Sequence, residues 1–272
     1  MMKQKYLSIV IVNFMNYSLT LKCVDSVVNN IGNIDYEIII IDNCSPNESY
    51  EELNNTYKDI DNIKVFKNEK NNGFGFGNNV GVEKSSGKYI LFLNPDIVIL
   101  ENAIGNMLKE IEKDNSIGLL SGKLLNSDYS VQQSCRRIIP INQFVACRTP
   151  FSKIVPNKYI EKCNNKYLMN DFKHDSIMEV DWVMGACMLI KKELFLQVGG
   201  FSKEYFMYFE DVDLCCKVRA QGKKIVYFPE AKMIQLHRQE SIKSFNKMSL
   251  VHFKSMCKFY YKYYFKKIKI LK

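Results

Sequence analysis

The chain has 272 residues, 47% hydrophobic and 25% charged, enough apolar material for one sizeable core or two closely merged halves. No apolar run reaches the ~20 residues of a membrane span, and the nine scattered cysteines form no paired CxxC metal pattern, so they read as free thiols of a reducing compartment. The net charge of +9 belongs to the end of the chain: residues 241–272 hold nine lysines and no acid, and without them Lys and Arg equal Asp and Glu in number, which argues against a nucleic-acid-binding core.

The N-terminal stretch is short, β-branched and followed by Asn, with no small-residue cleavage site. Residues 7–12 therefore read as a buried strand rather than a signal peptide, and the protein is expected in the cytoplasm. Leu19, Cys23, Val24, Val27 and Val28 then recur at helical spacing. Residues 37–41 form a second buried strand ending in Asp42-Asn43, and 64–66 a shorter one. The glycine-rich segment 71–81 leads into a helix expected over 78–86 and closed by Gly87. Residues 89–93 are another buried strand, ending in Asn94-Pro95-Asp96. Ile104, Met107, Leu108 and Ile111 mark a helix, and 117–120 a strand. Alternating strands and helices predict a largely parallel, doubly wound α/β sheet, whose ligands bind beyond the carboxyl ends of its strands. Asn13, Asp42-Asn43 and Asn94-Pro95-Asp96 stand at those ends.

Residues 125–180 have weak periodicity and read as a lid or an irregular acceptor-binding region. Order returns over 182–190, with a Gly185-Ala186 break. A short helix over 191–198 is closed by Gly199-Gly200. An aromatic run, 205–209, precedes a helix over 210–221, and a strand over 224–228 is expected to end at Pro229.

Asp96, at a strand end, suits Mg²⁺ or Mn²⁺, which takes one or two protein carboxylates and completes its shell with phosphate and water; Asn-Pro-Asp also suits a plain turn. The glycine-rich loop before a helix suits an anion or a simple capped loop. Glu210, Asp211 and Asp213 suit general-base work on a hydroxyl or complement to a helix dipole. His237 is a structural histidine or a metal ligand. From 245 to 268 lysines interleave with Phe, Tyr and Met. Such a helix rests on an anionic membrane surface, or packs on its own domain or on a second subunit.

In order, these segments resemble family-two glycosyltransferases of the GT-A fold, and among them bacterial rhamnosyltransferase-like members. The likeness runs through Ser8–Phe14 (SIVIVNF), Ile41-Asp42-Asn43-Cys44-Ser45, Asn71-Asn72-Gly73-Phe74, Gly77-Asn78-Asn79, Gly87-Lys88-Tyr89 and Leu93-Asn94-Pro95-Asp96. It continues through Trp182-Val183-Met184-Gly185-Ala186, Gly199-Gly200-Phe201 and Phe209-Glu210-Asp211-Val212-Asp213. The resemblance implies a GT-A sheet flanked by helices, with a nucleotide-sugar-binding half (1–124), a merged acceptor-binding and catalytic half (125–240) and a basic amphipathic tail (241–272). It implies that Asp42 contacts the nucleobase or ribose, that Val12, Asn13 and Phe14 line that pocket, and that Asn71, Gly73 and Asn78 surround the nucleotide. Asn94 and Trp182 complete the donor pocket, and Asp96, with His237, ligates Mg²⁺ or Mn²⁺. Asn94 stands where the family often has an acid, which loosens the metal site. Asp211 is the implied base and Glu210 its neighbour. The expected reaction is transfer of a sugar, L-rhamnose as first choice, from a dTDP- or UDP-sugar to a glycan or glycolipid hydroxyl, with inversion. The rival readings are a sugar nucleotidyltransferase, which lacks its pyrophosphate loop here, and a non-catalytic nucleotide-sugar-binding protein.

Overall fold

The computed structural model describes residues 4–148, 150–236 and 247–265. In chain order it forms β1 (Leu7–Asn13), α1 (Tyr17–Asn30), β2 (Tyr36–Asp42), α2 (Ser49–Tyr57), β3 (Ile63–Lys67), α3 (Phe74–Lys84), β4 (Tyr89–Leu93), β5 (Ile97–Ile99), α4 (Ala103–Lys113) and β6 (Ile117–Leu125). Then follow β7 (Cys135–Arg136), α5 (Ile141–Arg148), a 3₁₀ turn (Pro150–Ile154), α6 (Asn157–Leu168), β8 (Met178–Val180), β9 (Trp182–Val183), β10 (Cys187–Lys191), α7 (Lys192–Gln197), α8 (Glu210–Ala220), β11 (Lys224–Gln235), α9 (Lys247–Tyr260) and a π turn (Tyr261–Phe265).

The main sheet runs β3-β2-β1-β4-β10-β6-β11-β5, with β8 also paired to β11. β1 to β4, β6 and β11 share one direction; β10, β5 and β8 run against it. Both halves of the chain therefore contribute to one continuous sheet. Side chains alternate across it as the pleat requires. Ile9, Ile11, Ile38, Ile40, Leu91 and Leu93 pack with α1 and α4, while Val10, Val12, Ile39, Ile41, Ile90 and Phe92 face α3, α7 and α8. These strands are covered on both faces, which is why they read as unbroken apolar runs.

Three expectations change. β11 does not stop at Pro229: its register against β6 jumps between Phe228 and Lys232, a bulge where a residue lacking an N–H costs no ladder bond. α3 starts at Phe74 rather than at residue 78. The stretch 125–180 is not irregular but carries α5 and α6, whose residues Phe144, Cys147 and Cys163 join Tyr205, Val212, Cys216, Met256, Phe259, Tyr260 and Tyr263 in a third core. The inner face of α9 thus packs on its own chain. Among the described residues no helix is long and apolar enough to cross a membrane.

Candidate active site

The carboxyl ends of β1, β2 and β4 open on one rim. Asn13 and Asp42 lie in register there, and both are fully buried. Asn13 donates from Nδ2 to Asp42 Oδ2 at 2.8 Å and accepts from Thr20 Oγ1 at 2.9 Å. Asp42 also accepts from the Ser45 N–H at 2.8 Å and from Ser45 Oγ at 2.7 Å. Asp42, expected as a nucleobase or ribose contact, therefore has no open surface here; its carboxylate is satisfied internally and braces the two strand-end loops. Ser45 Oγ accepts from the Met15 N–H at 2.8 Å, which ties the loops together. What they present outward is Phe14 and Met15, 45% and 50% exposed. Val12 is buried in the sheet core.

Asn43 clamps the glycine-rich loop. Its Nδ2 donates to Asn71 Oδ1 at 2.9 Å and to the Gly73 carbonyl at 3.2 Å, and Asn71 Oδ1 accepts the Gly73 N–H at 3.0 Å. Gly73 sits at φ 97°, and a Cβ there would lie 1.9 Å from the Phe206 carbonyl oxygen. That oxygen accepts the Phe74 N–H at 3.0 Å. The loop is thus docked on the segment that leads into α8. Asn78 is buried and donates to the Phe74 carbonyl at 3.1 Å. Its neighbour Asn79, not singled out from the sequence as a site residue, makes a two-way bond with Phe201, donating to its carbonyl at 2.8 Å and accepting its N–H at 2.9 Å.

Asn94 and Asp96 follow β4. The Asn94 N–H donates to the Ala186 carbonyl at 2.9 Å. Asp96 is buried; its Oδ2 accepts from Gln235 Nε2 at 3.0 Å, and its carbonyl accepts the Leu236 N–H at 2.9 Å. The end of β11 is therefore laced to the strand end that bears Asp96. His237, next in the chain, lies outside the described residues. Among those residues no three His, Cys, Asp or Glu side chains form a group able to hold a metal. A lone strand-end carboxylate fits an ion that draws most of its shell from phosphate oxygens and water, and does not fit a closed protein cage.

α8 opens on the two carboxylates. Tyr208 and Phe209 both take φ 68°, a left-handed corner of a kind that non-glycine residues adopt at a cost and that clusters at functional sites. Glu210 is buried, and its Oε2 has no hydrogen-bond partner among the described residues. Burial, and then the charge of Asp211, push its pKa well above the ordinary carboxylate range. Asp211 is half-buried. Its Oδ1 accepts the Val212 N–H at 2.8 Å and its Oδ2 the Gly185 N–H at 3.0 Å. Burial raises its pKa too, against the opposing pull of those N–H groups and of the Arg136 charge. Gly185 precedes Ala186, so two consecutive residues link the Asp211 carboxylate to the strand end carrying Asn94 and Asp96. Trp182, half-buried in β9, lies against Tyr167 with ring centroids 6.2 Å apart, and pairs in register with Arg136 of β7. Arg136 and Gly185 were not among the expected site residues; the cues were an Arg pair in a stretch of weak periodicity and, for Gly185, its place in the motif Trp182-Val183-Met184-Gly185-Ala186.

Asp213 has a different task. It is fully buried, with Lys262 Nζ at 2.6 Å, Tyr263 OH at 2.8 Å, Ser202 Oγ at 2.5 Å and Lys217 Nζ at 3.4 Å. Burial raises its pKa, but Lys217, Lys262 and Ser202 outweigh that and hold it below the ordinary value. It pins the tail to α8 from inside.

The fold recurs in known proteins. The family model described as "Glycosyl transferase family 2" matches residues 8–213. The chain is 29% identical over 196 residues to rhamnosyltransferase WbbL of Escherichia coli (strain K12), covering 67% of this chain and 68% of that one. It is 29% identical over 155 residues to the N-acetylglucosaminyl-diphospho-decaprenol L-rhamnosyltransferase of Mycobacterium tuberculosis, covering 56% of this chain and 48% of the relative. The crystal structure of GalNAc-T7 with UDP, GalNAc and Mn²⁺ superposes with a TM-score of 0.65 at 20% identity, over 87% of this chain and 44% of that one. The architecture is that of GT-A glycosyltransferases, and the chain belongs to glycosyl transferase family 2.

Proposed function

We propose that the protein moves a hexose, L-rhamnose first among the choices, from a nucleotide-linked donor to a hydroxyl of a glycan or lipid-linked glycan, inverting the anomeric centre. The observation that carries this reading is the Asp211 carboxylate, held by two N–H groups at the start of α8 on the rim that also bears Asn94 and Asp96. Two relatives whose names specify rhamnosyl transfer support the donor, and the mycobacterial name supports a lipid-linked acceptor.

In this reading Asp211 takes the proton from the acceptor hydroxyl as its oxygen bonds to the anomeric carbon. The nucleoside diphosphate leaves from the opposite face with the electron pair of the broken C–O bond. One displacement gives one inversion. Fixed N–H donors keep Asp211 in place, and burial, which outweighs their pull, brings its proton affinity closer to that of the hydroxyl. Glu210, whose proton affinity burial and the charge of Asp211 raise, stands beside it. Phe14 and Met15 form the outward wall for the base and ribose, on loops that Asn13, Asp42 and Ser45 brace, and Asn71, Gly73 and Asn78 keep the adjoining loop in shape. Asp96 would hold Mg²⁺ or Mn²⁺, with His237 as a second ligand; such an ion supplies neutralisation of the diphosphate charge. The Mn²⁺ in the GalNAc-T7 structure supports the choice of a divalent ion. A nucleotidyltransferase reading is not favoured, since the glycines of 73–81 serve packing rather than a pyrophosphate cradle.

The test is transfer by the purified chain from dTDP-rhamnose and UDP-hexoses to a lipid-linked or synthetic acceptor, with the product anomer read by NMR. Asp211→Asn is expected to lower turnover about 10²–10⁴-fold while nucleotide binding is retained. Retention of configuration, or equal loss of binding and turnover, would overturn the assignment.

A further inference from the structure

α9 and the π turn after it have two faces. The inner one buries Met256, Phe259, Tyr260 and Tyr263 in the third core. The outer one carries Leu250, Phe253, Tyr261 and Tyr264, which are 48%, 55%, 59% and 55% exposed, together with the exposed Cys257. The spacing of these residues places them along one stripe. Large apolar side chains exposed in a row mark a surface with an occupant. Lys254 and Lys258, both exposed, alternate with them, and the whole of 241–272 holds nine lysines and no acid.

We propose that this outer face docks on an anionic lipid bilayer. Charge decides between the bilayer and a second copy of the chain. A two-fold contact would set the same lysine-rich stripe against itself, and like charges oppose that, whereas anionic head groups complement it. Phe and Tyr beside Lys is also the composition that settles at the boundary between head groups and acyl chains. Each lysine close to such a surface strengthens partitioning about fivefold.

The inner face gives the docking a consequence. Lys262 and Tyr263 hold Asp213, Ser255 Oγ donates to the Met207 carbonyl at 2.8 Å, and the His252 ring lies 5.1 Å from Tyr208 and 5.4 Å from Phe209. The element that meets the bilayer is therefore packed directly on the corner that presents Glu210 and Asp211. A lipid-linked acceptor would be met at the surface where it resides. The docking itself does not depend on the sugar-transfer reading and is measured without donor or acceptor.

The experiment is flotation of the full chain with vesicles of phosphatidylglycerol and phosphatidylcholine, and with phosphatidylcholine alone. The wild type is expected on the anionic vesicles, released by high salt, and weakly if at all on the neutral ones. Lys254→Glu and Leu250→Glu/Phe253→Glu are each expected to weaken binding at least about tenfold with an unchanged unfolding temperature. A second readout guards against misfolding of the variants: in a Cys44→Ser background, an environment-sensitive dye on Cys257 is expected to shift to the blue with anionic vesicles only. No binding by the wild type, or variants that float as well as it does, would overturn the proposal. So would a stable dimer that Leu250→Glu/Phe253→Glu dissociates, because the face would then belong to a second copy.

Discussion

Asp211 and Asp213 share one turn of α8, yet their protonation is pushed in opposite directions. Asp211 meets burial with N–H dipoles and the charge of Arg136 to offset it, and burial prevails, so its pKa rises. Asp213 is the more deeply buried, but two ammonium groups and a hydroxyl bind its charged form, so its pKa falls. For a base, this means the acid limb of the turnover profile lies above the ordinary aspartate value of about 3.9, and a pH–rate series on the wild type checks it. The same rise has a stability cost. The folded state holds the Asp211 proton more tightly than the unfolded chain, so stability declines as pH rises from about 3.9 through the raised folded value. Asp211→Asn is therefore expected to unfold at a higher temperature than wild type at pH 7 while losing turnover. Asp213 follows the other sign: its contribution is present above about 3.9 and is lost as pH falls through the depressed folded value. Asp213→Ala, which strands Lys262 and Lys217, is expected to cost about 3 kcal/mol at pH 7 in urea unfolding, with the gap to wild type narrowing in acid. For Asp96, replacement by Ala is expected to lower transfer about a hundredfold and to leave a residual rate indifferent to EDTA; unchanged metal dependence would remove Asp96 as a ligand.

At the scale of elements, the glycine-rich loop shows where sequence reading runs out. Its glycines suit an anion cradle as well as they suit close packing, and what decides is Phe206, far along the chain, whose carbonyl occupies the space a Gly73 side chain would need. Gly73→Ala also strains a backbone at φ 97°. It is expected to destabilise the chain by about 1–3 kcal/mol and to speed amide exchange over 201–209, because the two segments hold each other. The buried strands were legible because both faces are apolar. β5 was not, being three residues long, and β11 was cut short because Pro229 reads as a stop unless its bulge is seen. Helices α5 and α6 were missed because much of their surface is polar and their few buried positions pack on each other, on α8 and on the tail. Asp42 was legible as a strand-end carboxylate, but its partners were not: in sequence it looks the same whether it faces solvent or a neighbouring Asn and Ser. The lysine-rich end read equally as a membrane or a packing helix, and the described part of it has one buried face and one exposed face.

At the scale of the whole molecule, a single antiparallel strand organises the centre. β10 lies between β4 and β6, and its reversed direction brings the residues that precede it, Gly185 and Ala186, to the same rim as the carboxyl end of β4. The proposed base and the proposed metal ligand come from distant parts of the chain and are still linked through adjacent backbone groups. That placement also orders assembly. β1 to β4 are contiguous in the chain and can pair early, but β4, with every residue buried in the finished sheet, keeps an open edge until β10 arrives. Contacts so distant in sequence close slowly, and an uncovered apolar edge recruits other strands in the interval. During synthesis, the nascent first half is therefore the species expected to aggregate most readily, and the strand that completes the candidate rim is also the one that covers its open edge.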